Sequence, residues 1–326
     1  MKVCIVGAGA IGGFIGTRLA AAGRSEVSAL ARGATLVALQ AQGWRLRQGD
    51  ALTTGPCHAE DDAARLGTQD LVVIAVKGPA LSPLAPSLAP LIGAHTLVMP
   101  AMNGVPWWFG DGVPALEGAP LQSVDPGGRI AAAIPRERVV GCVVHASTFT
   151  PEPGLVQHKT GQGLIVGEPR GGRSGRVQAV ADLLAHAGFD VTHSADIRYD
   201  VWYKLWGNMT MNPISALTGA TIDQVLVDPL LRQFCTDAML EASAIGARIG
   251  CPIAQTPEDR HAITSKLGAF KTSMLQDVEA GRAIELDSIV GAVHELGQRV
   301  GMATPNVAAL LGLTRLFGRV HGLYPR

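Results

Sequence analysis

The sequence of 326 residues lacks an excess of charge of either sign. Lys plus Arg and Asp plus Glu each number 27, so the formal net charge is zero. A protein that neutralises many phosphates needs a basic excess, and the sequence therefore predicts no nucleic-acid partner. A single bound dinucleotide requires only one or two local cations, so a net charge of zero does not exclude a dinucleotide ligand.

Cysteine is scarce and shows no paired spacing. The five cysteines are an odd number, lie far apart in the chain and include no C-x-x-C motif. This usage is typical of reduced thiols in a cytoplasmic protein and argues against a disulfide framework or a structural zinc site. The nine histidines show neither H-x-x-x-H nor H-E-x-x-H spacing. We therefore predict that the protein binds no metal.

Long apolar runs are also missing. No uninterrupted apolar stretch approaches the ~18 residues required to span a bilayer, so we predict no membrane partner. The amino terminus has some features of a signal peptide, with Ala20-Ala21-Ala22 as a cleavage site. However, four glycines interrupt its apolar stretch and only one Lys precedes it, which favours a cytoplasmic protein without a signal peptide.

The first half of the chain does contain short apolar runs that alternate with helical stretches. Strands are predicted at 3–6, 27–30, 71–76, 96–99 and 139–144. Continuous hydrophobic runs without period-2 alternation are typical of parallel strands covered on both faces. Alternation of strands and helices then predicts a doubly wound α/β sheet. Turn residues within 148–167 predict an antiparallel addition that closes this sheet.

The second half is predicted to be helical. After a helix at 177–187 and a strand at 190–193, helical patterns occupy about 196–217, 228–249, 258–280, 287–300 and 305–317. Gly250 and Gly301 are stop signals, and Pro213 is expected to kink or interrupt the first of these helices. We predict an α/β domain over residues 1–194 and an all-α helical domain over residues 195–326.

A glycine-rich loop, Gly7-Ala8-Gly9-Ala10-Ile11-Gly12, follows the first predicted strand and opens a helix. The first glycine permits a tight turn, the second lets the backbone approach a pyrophosphate, and the third lets helix and strand pack closely. The helix N-terminus adds free N–H donors and the positive end of its dipole. This context predicts a Rossmann-type dinucleotide site, with a ligand-free glycine turn as the alternative.

Two cations at predicted strand ends bear on which dinucleotide binds. Arg32 follows the second strand, where an acidic residue would accept from the ribose 2′-hydroxyl of NAD. A guanidinium there suits a 2′-phosphate instead. Lys77 ends the third strand and adds a second cation at the same edge. The sequence predicts NADPH as cofactor, unless both cations are solvated loop charges.

The first helix of the second half carries a polar stripe. Lys204, Asn208 and Asn212 recur at every fourth residue and therefore share one helix face. Their neighbours are largely apolar, and buried Lys and Asn side chains need partners or a ligand. The stripe predicts either a ligand site or a hydrogen-bond network between helices.

Three more polar residues are candidates for a site. Asn103, in an Asn103-Gly104 pair, follows the fourth predicted strand, at the edge where ligands of open α/β folds bind. An ordinary Asn-Gly turn would have the same sequence. Ser273 and Glu285 lie further along the chain, where on their own they would indicate a surface cap and a solvated carboxylate.

Together these motifs resemble those of the ketopantoate reductases, in the same order and over almost the entire chain. The matching features are Gly7 to Gly12, Arg32, Asn103-Gly104, Lys204-x3-Asn208-x3-Asn212-Pro213, Ser273 and Ala283-Ile284-Glu285-Leu286-Asp287. The resemblance implies a Rossmann domain joined to a helical domain, with the active site in the cleft between them. It also implies NADPH-dependent reduction of 2-dehydropantoate to pantoate, as in pantothenate biosynthesis.

The resemblance assigns roles to individual residues. Lys204 would be the general acid, and Glu285 would orient it and bind a substrate hydroxyl. The 2-keto acid would be held by Asn103, Asn208, Asn212 and Ser273. Lys77 and Asn103 would also contact the cofactor.

Because of two departures from the family pattern, the sequence does not determine which 2-keto acid is the substrate. Trp107 and Trp108 follow the Asn103-Gly104 turn where other members have smaller residues, and they belong either to the pocket or to the core. Ala80 lacks the polar side chain often found shortly after the cofactor lysine. The alternatives are a reductase of another bulky or branched 2-keto acid and a non-catalytic NADP-binding sensor. A homodimer is compatible with the sequence, which does not specify the oligomeric state.

Overall fold

The computed structural model describes residues 1–116 and 119–325, and within them the chain forms two compact units. The first comprises Met1–Met102 and Arg129–Asp200, and the second comprises the described parts of Asn103–Gly128 and Val201–Arg326. No sequence feature predicted that residues 103–116 and 119–128 would pack with the later residues. The domain boundary at residue 194 stays a prediction, because compact units need not be independent domains.

The first unit contains the strands. In chain order they are β1 (Lys2–Val6), β2 (Glu26–Leu30), β3 (Trp44–Gln48), β4 (Ala51–Gly55), β5 (His58–Glu60), β6 (Leu71–Ile74), β7 (Leu97–Pro100), β8 (Gly141–Glu152), β9 (Leu155–Gly167) and β10 (Asp190–Ser194). Its helices are α1 (Ala10–Ala21), α2 (Gly33–Gln42), α3 (Ala63–Leu66), α4 (Gly78–Leu84), α5 (Arg129–Ala133) and α6 (Gly175–His186).

Five strands form a parallel sheet in the order β5-β2-β1-β6-β7. Four of them coincide with the runs predicted at 3–6, 27–30, 71–76 and 96–99, which confirms the parallel α/β sheet. Every residue of β6 and all but the first of β1 are buried. Burial on both faces explains why these runs are continuously hydrophobic.

A second sheet has the order β10-β9-β3-β4, and β8 pairs antiparallel along β9. The predicted antiparallel addition is therefore present, but it belongs to this second sheet. The expectation that it closes the first sheet is wrong, since β8 and β9 pair with each other and with strands of the second sheet. The β3–β4 hairpin was not predicted because Trp44 and Leu46 alternate with more polar residues and form no continuous apolar run.

The second unit is helical, as predicted. The helices are α7 (Ile197–Thr218), which starts in the first unit, α8 (Ile222–Val227), α9 (Pro229–Arg248), α10 (Pro257–Ser265), α11 (Ser273–Glu279), α12 (Ala292–Arg299) and α13 (Pro305–Val320). The helix predicted at 258–280 is divided into α10 and α11. The one predicted at 287–300 begins as a π-helical turn over Asp287–Gly291. Pro213 does not interrupt α7, which continues to Thr218.

No helix in the described ranges is both long enough and apolar enough to cross a membrane.

Candidate active site

The glycine-rich loop joins β1 to α1, and two of its glycines are required by packing. Gly7 has a φ of +90°, and a Cβ there would lie 2.6 Å from Cγ1 of Val76. A Cβ on Gly12 would lie 2.0 Å from the carbonyl oxygen of Gly7 and 3.1 Å from the Cβ of Ala75. At Gly7 and Gly12, therefore, the loop and α1 leave no space for a side chain beside the residues that follow β6.

Gly9 differs, because a Cβ there would meet nothing within 4 Å. Gly9 caps the N-terminus of α1, where no side chain provides a capping hydrogen bond and the first turn has no acidic residue. Such a helix end offers free N–H donors and a positive dipole end to an anion. The open space beside the Gly9 backbone fits the close approach of a dinucleotide pyrophosphate.

Arg32 and Lys77 lie at the same edge of the parallel sheet as the glycine loop. Arg32 follows β2 and precedes α2, whereas Lys77 follows β6 and precedes α4. Because β2 and β6 flank β1 in parallel, their carboxyl ends lie on either side of the loop. Arg32 is exposed, and its guanidinium pairs with no side chain among residues 1–116 and 119–325. It is therefore available to a phosphate.

In the second unit, Lys204 and Asn103 are brought together. Lys204 lies half-buried in the first half of α7, and its Nζ donates a hydrogen bond of 2.9 Å to Oδ1 of Asn103. The two residues are 101 positions apart in the chain. The contact exists because the chain after β7 packs with the second unit. The structure thus places a candidate general acid beside a candidate substrate-binding amide.

Asn208 and Asn212 lie further along α7. Asn208 is half-buried and Asn212 is 5% exposed. Neither side-chain amide has a hydrogen-bond partner within the described part of the chain. A network between helices would satisfy these amides, and an unsatisfied buried amide is costly. Their surroundings therefore favour the ligand-site interpretation of the polar stripe.

Glu285 and Ser273 occupy different environments. Glu285 is 7% exposed, so the interpretation of a solvated carboxylate is wrong. Ser273 is exposed and is the first residue of α11. The cap of that helix is Thr272, whose hydroxyl accepts from the Leu275 N–H at 3.2 Å. Ser273 is thus not the capping residue, and its hydroxyl is available to a ligand.

Ser288 supports the Asn103-Gly104 turn, although the sequence did not single it out. Its carbonyl oxygen accepts from the Val105 N–H at 2.8 Å. Gly104 has a φ of +82°, and a Cβ there would lie 2.5 Å from the same oxygen. The Ser288 hydroxyl also donates a long hydrogen bond of 3.5 Å to the carbonyl oxygen of Glu285. Ser288 lies three positions after Glu285, and this spacing was the one feature of the sequence that indicated that Ser288 and Glu285 share a helical turn.

The tryptophans that follow this turn are buried. Trp107 is 4% exposed and Trp108 is 1% exposed. The adjacent Phe109 stacks on Trp202 with ring centroids 5.9 Å apart. Burial favours the core interpretation of the two indoles over the pocket interpretation.

Comparison with known proteins identifies the family. The family model described as ketopantoate reductase PanE/ApbA matches residues 3–171, and the model of its C-terminal part matches residues 196–317. The chain belongs to the ketopantoate reductase family. This confirms the resemblance found in the sequence motifs.

Members of the ketopantoate reductase family are similar to the chain over its full length. A 2-dehydropantoate 2-reductase of Mesorhizobium japonicum is 44% identical over 99% of this chain and 100% of its own. A crystal structure from Ralstonia solanacearum MolK2, described as a candidate ketopantoate reductase, is 55% identical with a TM-score of 0.95 over 99% of both chains. The 2-dehydropantoate 2-reductase of Methylococcus capsulatus is 27% identical, with a TM-score of 0.82 over 98% of both chains.

Proposed function

We propose that this protein reduces 2-dehydropantoate to pantoate with NADPH as the hydride donor. The chain belongs to a family of nicotinamide-dependent oxidoreductases, and its relatives from Mesorhizobium and Methylococcus bear the name of this activity. The observation that carries the proposal is the hydrogen bond from Lys204 to Asn103. Lys204 lies on α7, which also presents Asn208 and Asn212, two amides without a partner among the described residues.

The chain offers residues for the phosphate groups of the cofactor. NADPH, when bound, supplies a hydride from C4 of its nicotinamide to the ketone carbon of the substrate. The backbone of the loop from Gly7 to Gly12 would hold the pyrophosphate, which the open space at Gly9 supports. Arg32 would pair with the 2′-phosphate because its guanidinium has no partner among the described residues. Lys77 and Asn103 would make further contacts with the cofactor.

Lys204 is proposed to act as the general acid. Negative charge grows on the carbonyl oxygen as the ketone carbon receives the hydride. An ammonium beside that oxygen stabilises the charge and then donates its proton, which completes the alcohol. The amide oxygen of Asn103 holds the ammonium in one position by accepting from it.

The remaining polar residues are proposed to bind and orient the keto acid. The amide groups of Asn208 and Asn212 and the hydroxyl of Ser273 would bind its carboxylate and hydroxyl. Glu285 would orient Lys204 and accept from a substrate hydroxyl. Several fixed contacts of this kind hold a ketone in a reactive position, which lowers the entropic cost of the reaction.

Steady-state turnover with NADPH tests this proposal. We expect the kcat/KM for 2-dehydropantoate to exceed that for other branched or bulky 2-keto acids by about tenfold or more, because several groups match its carboxylate and hydroxyl. A higher kcat/KM for another keto acid would overturn the substrate assignment. Binding of NADPH without turnover of any keto acid in the panel would support a sensor instead.

The cytoplasmic location and the homodimer stay predictions. All five cysteines are free thiols in the structure, which is compatible with a reducing compartment. Sedimentation equilibrium of the purified protein would measure its oligomeric state.

A further inference from the structure

We propose that Leu323 and Tyr324, near the carboxyl terminus, form a clamp that positions Glu285. The proposal rests on the function proposed above, because it assumes that Glu285 belongs to the active site. Tyr324 is a positioning residue in this proposal, since its contacts are with the residues around Glu285.

The clamp folds back onto the helix that precedes it. After α13 the chain turns at Gly322, which has a φ of +70°. The backbone N–H groups of Leu323 and Tyr324 then donate to the carbonyl oxygen of Gly318 at 2.7 and 3.1 Å. A Cβ on Gly318 would lie 2.7 Å from the Cβ of Tyr324 and 3.2 Å from Cδ1 of Ile284. The missing side chain at Gly318 therefore lets the clamp and residue 284 pack closely on α13.

The clamp contacts the chain on both sides of Glu285. The Ile284 N–H donates to the carbonyl oxygen of Leu323 at 3.0 Å. The Tyr324 hydroxyl donates to Oδ1 of Asp287 at 2.6 Å. One contact lies one residue before Glu285 and the other lies two residues after it. Both ends of this short segment are thus fixed by the same two clamp residues.

The hydrogen bond to Asp287 persists across the neutral pH range. Burial, together with the bond to Asp287, raises the pKa of Tyr324 to about 12, so its hydroxyl remains a donor. Burial also raises the pKa of Asp287, while the Tyr324 hydroxyl, Arg315 and Arg319 act in the opposite direction. Loss of the tyrosine hydroxyl would leave the half-buried Asp287 carboxyl group without the hydrogen-bond donor that the described residues provide to it. Asp287, at the start of the π-helical turn, would then shift.

Glu285 is sensitive to such a shift because it lies between the two fixed points. Displacement of a catalytic group by a fraction of an ångström reduces turnover more than it reduces the stability of the fold. Burial of Leu323 in the core fixes the fold-back after α13, and the clamp transmits this fixed position to the segment around Glu285.

A double-mutant cycle tests the clamp. We expect Tyr324→Phe to lower the kcat for 2-dehydropantoate about tenfold in the wild-type background, with the Kd of NADPH unchanged. In the Glu285→Ala background the same substitution should change kcat less than about twofold, because the group that the clamp positions is absent. A merely structural role would lower Tm and reduce kcat by the same factor in both backgrounds.

Tyr203→Phe is the matched control. The Tyr203 hydroxyl also donates a 2.6 Å hydrogen bond within the second unit, to Oε1 of Gln255, and its loss should leave kcat unchanged. Gly318→Ala provides an independent disturbance of the clamp, because the added Cβ would displace Tyr324. It should reproduce the loss of kcat in the wild-type background.

The outcomes separate the two proposals. Wild-type kcat for Tyr324→Phe, or an equal loss in both Glu285 backgrounds, would overturn the clamp while the reductase function stands. Failure of the wild-type protein to reduce any 2-keto acid would overturn the proposed function and, with it, the clamp.

Discussion

The glycine loop of the first unit and the polar face of α7 in the second unit are held by different kinds of contact. In the loop, Gly12 packs against the backbone of Gly7, five positions earlier, within one strand–turn–helix motif. On α7, Lys204 is held by Asn103, which lies 101 positions earlier in the chain. Local backbone packing thus determines the first region, whereas long-range contacts between side chains determine the second. Substitutions should therefore have separable effects in the two regions.

The largest expected effect comes from the α7 region. Lys204→Ala should lower kcat by about 10²–10⁴, the usual contribution of a general acid. The Kd of NADPH should stay within about twofold, because the cofactor phosphates are assigned to the other region. Steady-state kinetics and a fluorescence titration of NADPH measure these quantities.

Lys266→Ala is the control for that prediction, since Lys266 is an exposed lysine of the same unit. Its kcat should equal that of the wild type. Turnover of Lys204→Ala at the wild-type rate would remove Lys204 from catalysis.

The next effect concerns the choice of cofactor in the first region. Arg32→Ala should raise the KM for NADPH about tenfold or more, which corresponds to about 1.4 kcal/mol of lost binding free energy. The KM for NADH should change little, because NADH has no 2′-phosphate. The control is Arg24→Ala, at an exposed arginine shortly before β2. Equal losses with both cofactors would reject the phosphate assignment.

Two substitutions within the glycine loop separate packing from binding. Gly12→Ala should lower the free energy of unfolding by about 1–3 kcal/mol, because its Cβ would overlap the Gly7 carbonyl oxygen. Gly9→Ala should change that free energy by less than about 1 kcal/mol, since its Cβ meets no neighbour. It should nevertheless weaken NADPH binding, because the Cβ would occupy the space assigned to the pyrophosphate. Denaturant unfolding and NADPH titration of both variants test this, and an unchanged Kd for Gly9→Ala would contradict it.

The smallest effect is a pH dependence of stability in the first unit. Glu168 accepts from Arg176 and Ser174, and these hydrogen bonds hold its pKa below the usual 4.5 although burial opposes them. Ionised Glu168 therefore stabilises the fold above the unfolded-state pKa. The stabilisation is lost as the pH falls through the lower folded-state value. Glu168→Gln should cost about 1 kcal/mol at neutral pH and nothing in strong acid.

Denaturant unfolding at several pH values measures this difference. Glu26→Gln, at an exposed carboxylate of the same unit, should show no such dependence. A loss for Glu168→Gln that stays constant down to strong acid would refute the ion-pair explanation.

The contrast between the two regions also explains how much of the fold could be predicted. The strands of the parallel sheet and the loop at Gly7 follow from local patterns, because full burial and tight turns restrict residue type directly. The hairpin of β3 and β4 was missed because Leu46 and its neighbours alternate in polarity. The assignment of residues 103–116 and 119–128 to the second unit depends on distant contacts, which no local pattern reveals.

The site shows the same division. Spacing alone placed Lys204, Asn208 and Asn212 on one face of α7, since a helix repeats every 3.6 residues. The pairing of Lys204 with Asn103 and the support from Ser288 required the three-dimensional structure. The contacts of Arg32 and Ser273 with ligands stay predictions.

A crystal structure with NADP⁺ and 2-dehydropantoate bound together tests the central claim most directly, since this pair cannot react and the complex persists. We predict that Nζ of Lys204 lies about 3 Å from the keto oxygen, within hydrogen-bond distance. A keto oxygen bound by another donor, with Lys204 still paired to Asn103 and out of reach of the substrate, would contradict the assignment of Lys204 as the general acid.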